Sequence, residues 1–230
     1  MNDVMLESLF FGVLVSCVTY ELGGWLRKKT KISLINPLLF SIVAVIAILL
    51  ACHIDYDTYY DGAKYLSYLL TPATVCLAVP LYEQVELLKK NVVAIVAGIL
   101  SGALTSVTCV LALAMIFHFS HEQYVTLLPK SITTAIGMGI SEELGGIVTI
   151  TVAAIIITGI IGNMFGDVIC RLCGIRHPIA TGLAIGTASH AMGTAKAMEI
   201  GEIEGAMSSL SIAVAGLMTV IGATIFYQLY

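Results

Sequence analysis

Long apolar runs recur along the entire chain and decide its fold class. They fall at about 5–26, 32–54, 65–82, 91–117, 124–141, 146–170, 178–198 and 205–229, and are numbered one to eight in that order. Several reach the ~20 residues that a helix needs to cross a bilayer. Only 11% of the residues are charged, against about 25% in a soluble domain. The sequence therefore predicts an all-α, polytopic membrane protein with a single domain over residues 1–230.

Basic residues mark one side of this predicted membrane domain. Eight of the eleven Lys and Arg residues lie in three loops, at 27–31, 89–90 and 171–176. The positive-inside rule places these loops in the cytoplasm. With the N-terminus outside, runs one to four alternate correctly, and run six must return from outside to inside. Run five then begins and ends outside, which predicts about seven spanning helices plus one re-entrant hairpin.

Run five carries polar residues where the tip of that hairpin is expected. Pro129 and Lys130 lie at the predicted tip, and Ser131, Thr133 or Thr134 would cap the returning arm.

Short internal matches predict an inverted repeat. Glu-Leu-Gly-Gly at 21–24 recurs at 143–146, and Ala-Gly at 97–98 recurs at 215–216. The two offsets are similar, and the two Glu-Leu-Gly-Gly copies lead into runs of opposite predicted direction. The expected halves are approximately 1–117 and 124–230, an architecture common among secondary transporters. Runs two, three and four would then correspond to runs six, seven and eight.

Two corresponding runs are interrupted by polar or proline-containing sequence. Run seven contains GTASHAMGTAKAME at 186–199, and run three contains LTPATVCLAVP at 70–80. Non-helical backbone at bilayer depth is tolerated only when it is buried in protein or lines a wet cavity. Pro72 disturbs the helix, and Thr71 is a candidate N-cap before it. Paired interruptions of this kind point to the binding site of a transporter.

The interrupted runs and the hairpin predict a shared site for a small anion. Helix N-termini that meet near the midplane would present free N–H groups and positive dipole ends to a solute. The candidate substrate-binding residues are Thr71, Pro72, Thr74, Lys130, Ser131, Thr133, Thr134, Thr187, Ser189, His190, Gly193, Thr194 and Lys196. The candidates for ion coupling are Glu142, Glu143 and His190, of which the histidine titrates near neutral pH.

Simpler interpretations remain open for several of these residues. Lys196 would also be explained by a side chain that extends from the end of run seven to the interface. Hydroxyls in membrane helices commonly bond their own backbone, and Glu142 and Glu143 would also fit the outer end of the hairpin. No cofactor and no metal site are predicted, because Cys170-x-x-Cys173 lacks a second ligand pair.

Glycines spaced four residues apart predict close helix packing. Gly98 and Gly102 form one such pair, and Gly162 and Gly166 form another. This spacing lets helices approach closely, either within one chain or between two copies in a homodimer.

Three segments resemble the LrgB/CidB family of bacterial membrane proteins, often called antiholin-like. They lie at 70–84, 129–147 and 186–211, beginning LTPATVCLAVP, PKSITTAIG and GTASHAMGTAK. The resemblance implies a bacterial cytoplasmic membrane location and two accounts of function. One is modulation of murein hydrolase activity and autolysis with a small LrgA/CidA-type membrane partner. The other is transport of small monocarboxylates such as pyruvate, glycolate or glycerate.

The residue patterns favour transport over the other two classes of function. A holin acts by assembling membrane lesions, which requires neither an inverted repeat nor paired broken helices. An enzyme is not indicated, because the sequence has no nucleophile elbow, HExxH motif or phosphate-binding loop. The predicted partners are therefore a small carboxylate, the LrgA/CidA-type protein and the lipid bilayer, with no nucleic acid.

Overall fold

The structure is a computed structural model that describes residues 10–30, 36–76 and 78–230, without the side chains at 70, 71, 74 and 81. These residues form α-helices and no strand, which confirms the predicted all-α class. Lys31 and the first residues of runs one and two lie outside the described part. The chain forms two compact units, Met1–Cys76 and Leu77–Tyr230. This division does not coincide with the predicted repeat halves, which stay a prediction.

Four helices of the first unit are described. They are α1 (Phe11–Thr30), α2 (Pro37–Ala51), α3 (Tyr56–Tyr68) and α4 (Leu70–Cys76). Hydroxyl pairs join α1 to its neighbours: Thr19 Oγ1 lies 2.8 Å from Ser41 Oγ, and Ser16 Oγ lies 2.8 Å from Tyr59 Oη. Paired hydroxyls satisfy one another where water is excluded.

Two local predictions in this unit differ from the structure. The acidic segment with Asp55, Asp57 and Asp61 lies between apolar runs two and three and was therefore expected to be a loop, but it forms the tyrosine-rich helix α3. An ion pair one helical turn apart, Asp61–Lys64 at 2.9 Å, supports it. Helix α4 begins at Leu70, so Thr71 lies inside the first turn rather than at the predicted N-cap.

The second unit contains eight described α-helices. They are α5 (Ala78–Glu83), α6 (Val85–Lys90), α7 (Val92–Phe117), α8 (His121–Leu127), α9 (Thr134–Glu143), α10 (Val148–Leu172), α11 (Pro178–Ile200) and α12 (Glu202–Phe226). Among the described residues, α7, α10 and α12 are the helices long and apolar enough to cross a membrane, and α2 is a shorter apolar helix. The polytopic membrane class is therefore confirmed, while the count of seven spans stays a prediction.

Helices α8 and α9 form a hairpin at the position of the predicted re-entrant one, whose re-entrant course in the membrane stays a prediction. They contain 7 and 10 residues, too few to cross a bilayer, and the turn between them includes Pro129 and Lys130. Apolar side chains on this turn and on α8 pack against α7, in a cluster that includes Tyr124, Leu128 and Ile132. We call residues 121–143 the outer hairpin, because the basic loops of this unit, at 89–90 and 171–176, lie at its opposite end.

Helix α11 is a second hairpin, which the sequence did not predict. Its backbone is non-helical at Ser189 and His190, and the two halves fold back beside each other. Ala197 and Ile200 from the end of α11 pack with Ile185 and with Cys170 at the end of α10. A straight helix of 23 residues would be about 34 Å long and could not make these contacts. We call residues 178–200 the inner hairpin.

This reversal corrects the predicted course of runs seven and eight. Because run six was expected to end inside, run seven would cross the membrane outward and run eight would return inward. Instead α12 begins beside the start of α11, where a Cβ added to Gly182 would meet the Glu204 backbone. It ends beside the outer hairpin, where Tyr124 Oη donates to the Phe226 carbonyl at 2.9 Å. Helix α12 therefore runs from the basic end to the outer end, as α7 does.

Candidate functional site

The tip of the inner hairpin is a two-residue break in the backbone. Ser189 has φ −137°, and His190 has φ 44° and ψ −139°, a region that side chains rarely adopt and that costs about 1–3 kcal/mol. Glycines of α10 leave room for this strained tip. A Cβ on Gly162 would collide with the Ser189 side chain, and one on Gly159 would lie 2.7 Å from His190 Cε1. The predicted break in run seven is confirmed, with its position at residues 189–190.

The Ser189 hydroxyl and one ring nitrogen of His190 form hydrogen bonds with backbone at this tip. Ser189 Oγ donates to the Ile185 carbonyl at 2.6 Å, and His190 Nε2 lies 3.1 Å from the Ile155 carbonyl. His190 is 4% exposed and does not line the cavity described next. Its hydrogen bond instead ties the tip to α10. The predicted roles of His190 in substrate binding and coupling stay predictions.

A cavity of about 830 Å³ lies between α7, α10 and the first half of α11. Its lining is mainly apolar and includes Ile161, Ile169, Ile179 and Leu183. Small and polar residues of all three helices complete it, together with the turn of the outer hairpin. The polar side chains among them are Asn91, Ser101, Thr105, Ser106, Cys109, Lys130, Ser131, Thr158, Cys170, His177, Thr187 and Ser189. No acidic side chain lines the cavity among the described residues, and Lys130 is the only Lys or Arg that does so.

Lys130 enters the cavity from the tip of the outer hairpin. Its Nζ donates to Ser131 Oγ at 3.0 Å, and Ser131 Oγ lies 2.9 Å from Ser106 Oγ on α7. No carboxylate pairs with Lys130 among the described residues. Lys130 is half-buried, and a buried charge without a counter-ion is unfavourable. The cavity therefore contains a cation whose counter-ion is not supplied by the described part of the chain.

A hydroxyl network fixes the base of the outer hairpin. Thr151 Oγ1 on α10 lies 2.8 Å from the Thr126 carbonyl and 2.6 Å from Ser141 Oγ. The Ile147 amide donates to Thr126 Oγ1 at 2.8 Å. Both arms are thereby joined to α10, so that the turn carrying Lys130 is held from its base.

Thr187 presents an unpaired hydroxyl in the same cavity. The residue is 6% exposed, and its Oγ1 has no hydrogen-bond partner in the described part of the structure. Gly102 of α7 lies directly opposite, where an added Cβ would be 2.7 Å from Thr187 Cγ2. A buried hydroxyl without a partner costs about 1–3 kcal/mol. A bound solute that accepts a hydrogen bond would remove this cost.

The structure brings together four of the predicted substrate residues. Lys130, Ser131, Thr187 and Ser189 line the cavity. Thr71, Pro72 and Thr74 belong to the first unit, and their predicted meeting with the other elements is untested. The predicted residues of the second unit that do not line it are Thr133, Thr134, Glu142, Glu143, His190, Gly193, Thr194 and Lys196.

Those remaining residues have structural surroundings of their own. Thr133 occupies the N-cap position of α9, but its side chain makes no capping bond. Thr194 Oγ1 lies 2.8 Å from Ser208 Oγ on α12. Lys196 pairs with the exposed carboxylate of Glu199 at 2.8 Å. The interpretation of Lys196 as an interfacial cation therefore fits the structure better than a place in the cavity.

Glu142 and Glu143 lie in the last turn of α9 and are exposed. This location matches the alternative that they mark the outer end of the hairpin. Among the described residues, no group of three or more His, Cys, Asp or Glu side chains has an arrangement suited to a metal ion.

Helix α7 contributes a cavity wall that the sequence analysis missed. Run four was interpreted as an apolar span with a pair of packing glycines, yet Ser101, Thr105 and Cys109 follow one another at helical spacing on the cavity side. Gly98 and Gly102 lie on the same side and face Leu183 and Thr187 of α11. The sequence does contain a signal for this wall, because small and polar residues recur every three or four positions along run four. The glycine pairs thus serve packing within the chain.

Comparison with known proteins gives consistent matches over most of the chain. The sequence profile of the LrgB-like family matches residues 16–229. The holin-like protein CidB of Staphylococcus epidermidis is 39% identical over 212 residues, which are 92% of each chain. The antiholin-like protein LrgB of Bacillus subtilis is 38% identical over 223 residues, 96% of each chain. The LrgB protein of Bacillus mycoides is 38% identical over 218 residues, 94% of this chain and 95% of its own. No solved structure matches.

Proposed function

The chain belongs to the LrgB-like family, and on that premise we propose that it carries a small monocarboxylate across the membrane through the α7–α10–α11 cavity. Its long apolar helices and its bacterial relatives make it a multi-pass bacterial membrane protein. The observation that carries the proposal is the combination, in one cavity, of two groups that lack a partner among the described residues: the Lys130 ammonium, which has no carboxylate, and the Thr187 hydroxyl, which has no hydrogen bond.

The charges of the lining support a solute with one negative charge. Lys130 is the single Lys or Arg among the lining residues described, and no acid opposes it. A carboxylate beside Lys130 would supply the missing counter-ion, and charge-assisted hydrogen bonds are the stronger kind. Ser106 and Ser131 next to Lys130, and Thr187 on the opposite wall, would donate hydrogen bonds to the same solute. The solute class of pyruvate, glycolate and glycerate meets both requirements.

Uptake into proteoliposomes tests this function. Purified wild-type protein should take up labelled pyruvate or glycolate faster than protein-free vesicles. The matched arms contain the chain alone and the chain reconstituted with an LrgA/CidA-type protein, since that partner is implied by the family. Absence of uptake of either solute in both arms would contradict the transport proposal.

The names of the relatives favour a second candidate function. They are called holin-like and antiholin-like rather than by the name of an enzyme or a transporter, which agrees with modulation of murein hydrolase activity and autolysis. The test is complementation of a bacterial strain that lacks its own family member, with autolysis rate as the readout. If Lys130→Gln restores autolysis as well as the wild-type protein does but is defective in uptake, the two functions are separate. If Lys130→Gln loses uptake and autolysis to the same extent, the autolysis effect is a consequence of transport.

A further inference from the structure

The cavity reaches the helix ends on one side of the unit only. At that side it is lined by Asn91, which precedes α7, and by Ile175 and His177, which connect α10 to α11. His177 is exposed. We call these three residues the mouth of the cavity. Lysines 89 and 90 and arginines 171 and 176 lie beside the mouth in the sequence, so the positive-inside rule places it at the cytoplasmic face.

At the other side the lining stops in the middle of the helices. The last lining residues there are Cys109 on α7, Thr158 on α10 and Ser189 at the tip of the inner hairpin. Helix α7 continues to Phe117, and α10 begins ten residues before Thr158. Lys130 and Ser131 of the outer hairpin complete this closed end. From Asn91 to Cys109 the cavity follows α7 for about 27 Å, most of the thickness of a bilayer core.

Packing of the outer hairpin closes the route beyond Lys130. Leu128 and Ile132, on either side of the tip, are 1% and 2% exposed. They pack in one apolar cluster with Val107, Val110 and Ala114 of α7. The cluster occupies the turns of α7 that follow the cavity toward the outer face. An aqueous path from that face would have to displace it.

From this geometry we infer that, of the two aqueous faces, the solute cavity reaches the cytoplasm alone, with the tip of the outer hairpin at 128–132 as the plug that separates it from the outer face. This inference deepens the proposed function, on which it rests, because it assigns the face from which Lys130 exchanges solute. Exchange with the outer face would then require the plug to leave its contact with α7. Charge supports the same direction, since basic residues around a mouth raise the local concentration of anions.

Cys109 is a native probe of the closed end. It lines the cavity beside the tip of the outer hairpin and is exposed. Thiol reagents react with the thiolate, which forms in water and not in lipid. A membrane-impermeant thiol reagent is applied to the wild-type protein in right-side-out and in inside-out vesicles, and each cysteine is then scored by peptide mass spectrometry. Cys173, exposed after α10, is the internal control for the cytoplasmic face, and Glu122→Cys is the control for the outer face.

We expect Cys109 to react together with Cys173 from the cytoplasmic face and to be protected from the outer face, where Glu122→Cys reacts. Reaction of Cys109 from the outer face, from both faces equally, or from neither face while Cys173 reacts would overturn the inference. The test needs no transported solute. If no uptake is detected, the labelling experiment still decides which face the cavity reaches. If the labelling differs from the expected pattern, the uptake result is unaffected.

A second readout checks the position of Lys130 at the closed end. A negatively charged reagent should modify Cys109 faster than a positively charged reagent of the same size. Lys130→Gln should lower this rate ratio by about fivefold, the effect of one partly solvated charge. An unchanged ratio would overturn the shared location of Lys130 and Cys109.

Discussion

The two hairpins of the second unit have similar shapes but different construction. The outer hairpin turns through a loop, with Pro129 and Lys130 at its tip, and is held by an apolar cluster and the Thr126–Ser141–Thr151 network. The inner hairpin turns through two residues and is held by close contacts of glycines with α10 and α12. One tip presents to the cavity a lysine without a carboxylate partner among the described residues, whereas the side chains at the other tip, Ser189 and His190, bond to backbone carbonyls. The comparison indicates that the outer hairpin supplies the charge and the inner hairpin supplies the wall.

The largest expected effect tests whether close contact holds the inner hairpin. A Cβ on Gly186 would lie 2.6 Å from the Ser208 carbonyl oxygen and 2.7 Å from its Cα, so α11 and α12 would have to separate. Gly186→Ala should lower the free energy of unfolding by about 2 kcal/mol. The matched control Gly222→Ala, where nothing lies within 4 Å, should raise it by up to about 1 kcal/mol through helix propensity.

Denaturation in detergent, followed by loss of helical circular dichroism, measures both variants. Equal stability of Gly186→Ala and Gly222→Ala would mean that the inner hairpin does not depend on this contact.

The next effect distinguishes the two lysines of the predicted site. Lys130 lies in the cavity without a carboxylate partner in the described structure, while Lys196 pairs with Glu199 outside it. Lys130→Gln should weaken pyruvate or glycolate binding by about 10- to 100-fold, because it removes a charge-assisted hydrogen bond. Lys196→Gln should change binding by less than about fivefold.

Isothermal titration or competition uptake measures this pair, with monodispersity in detergent as the folding control. A larger loss in Lys196→Gln than in Lys130→Gln would reverse the assignment of the two cations.

The outer hairpin could be predicted from sequence, and the inner one only in part. Charge placement required run five to return to its own side, and Pro129 with Lys130 indicated the tip. Run seven offered only a polar, glycine-rich interruption, which predicts a break but not its angle. The reversal depends on tertiary contacts: Gly159 and Gly162 with the tip, and Gly182 and Gly186 with α12. A single sequence does not reveal which helix a glycine faces.

The candidate site, like the inner hairpin, could be predicted from the sequence only in part. The polar residues of run seven do lie at a break in the helix, as predicted, but residues before and after Ser189–His190 have different surroundings. Thr187 lines the cavity, while Thr194 pairs with Ser208 behind it. Because both are threonines in the same polar stretch, their composition and spacing do not separate a binding role from a packing role.

A smaller effect tests the network at the base of the outer hairpin. Thr151→Val removes the hydroxyl that lies between the Thr126 carbonyl and Ser141 Oγ, so it should destabilise the protein by about 1–2 kcal/mol. Thr224→Val is the matched control, because Thr224 is exposed and bonds only within its own helix, to the Val220 carbonyl. It should change stability by less than about 0.5 kcal/mol. Detergent denaturation compares the two, and equal stabilities would show that the network does not hold the hairpin.

The smallest expected effect has the opposite sign and addresses the wall of the cavity. Thr187→Val keeps the shape of the side chain and removes a buried hydroxyl that has no partner in the described structure. The variant should therefore be more stable by up to about 1 kcal/mol. If the hydroxyl donates to a bound carboxylate, binding of pyruvate or glycolate should weaken by about two- to tenfold at the same time. Thermal unfolding and solute titration on one preparation measure both quantities. A variant that gains stability with unchanged binding would remove Thr187 from the site and leave Lys130 and its serine neighbours as the recognition group.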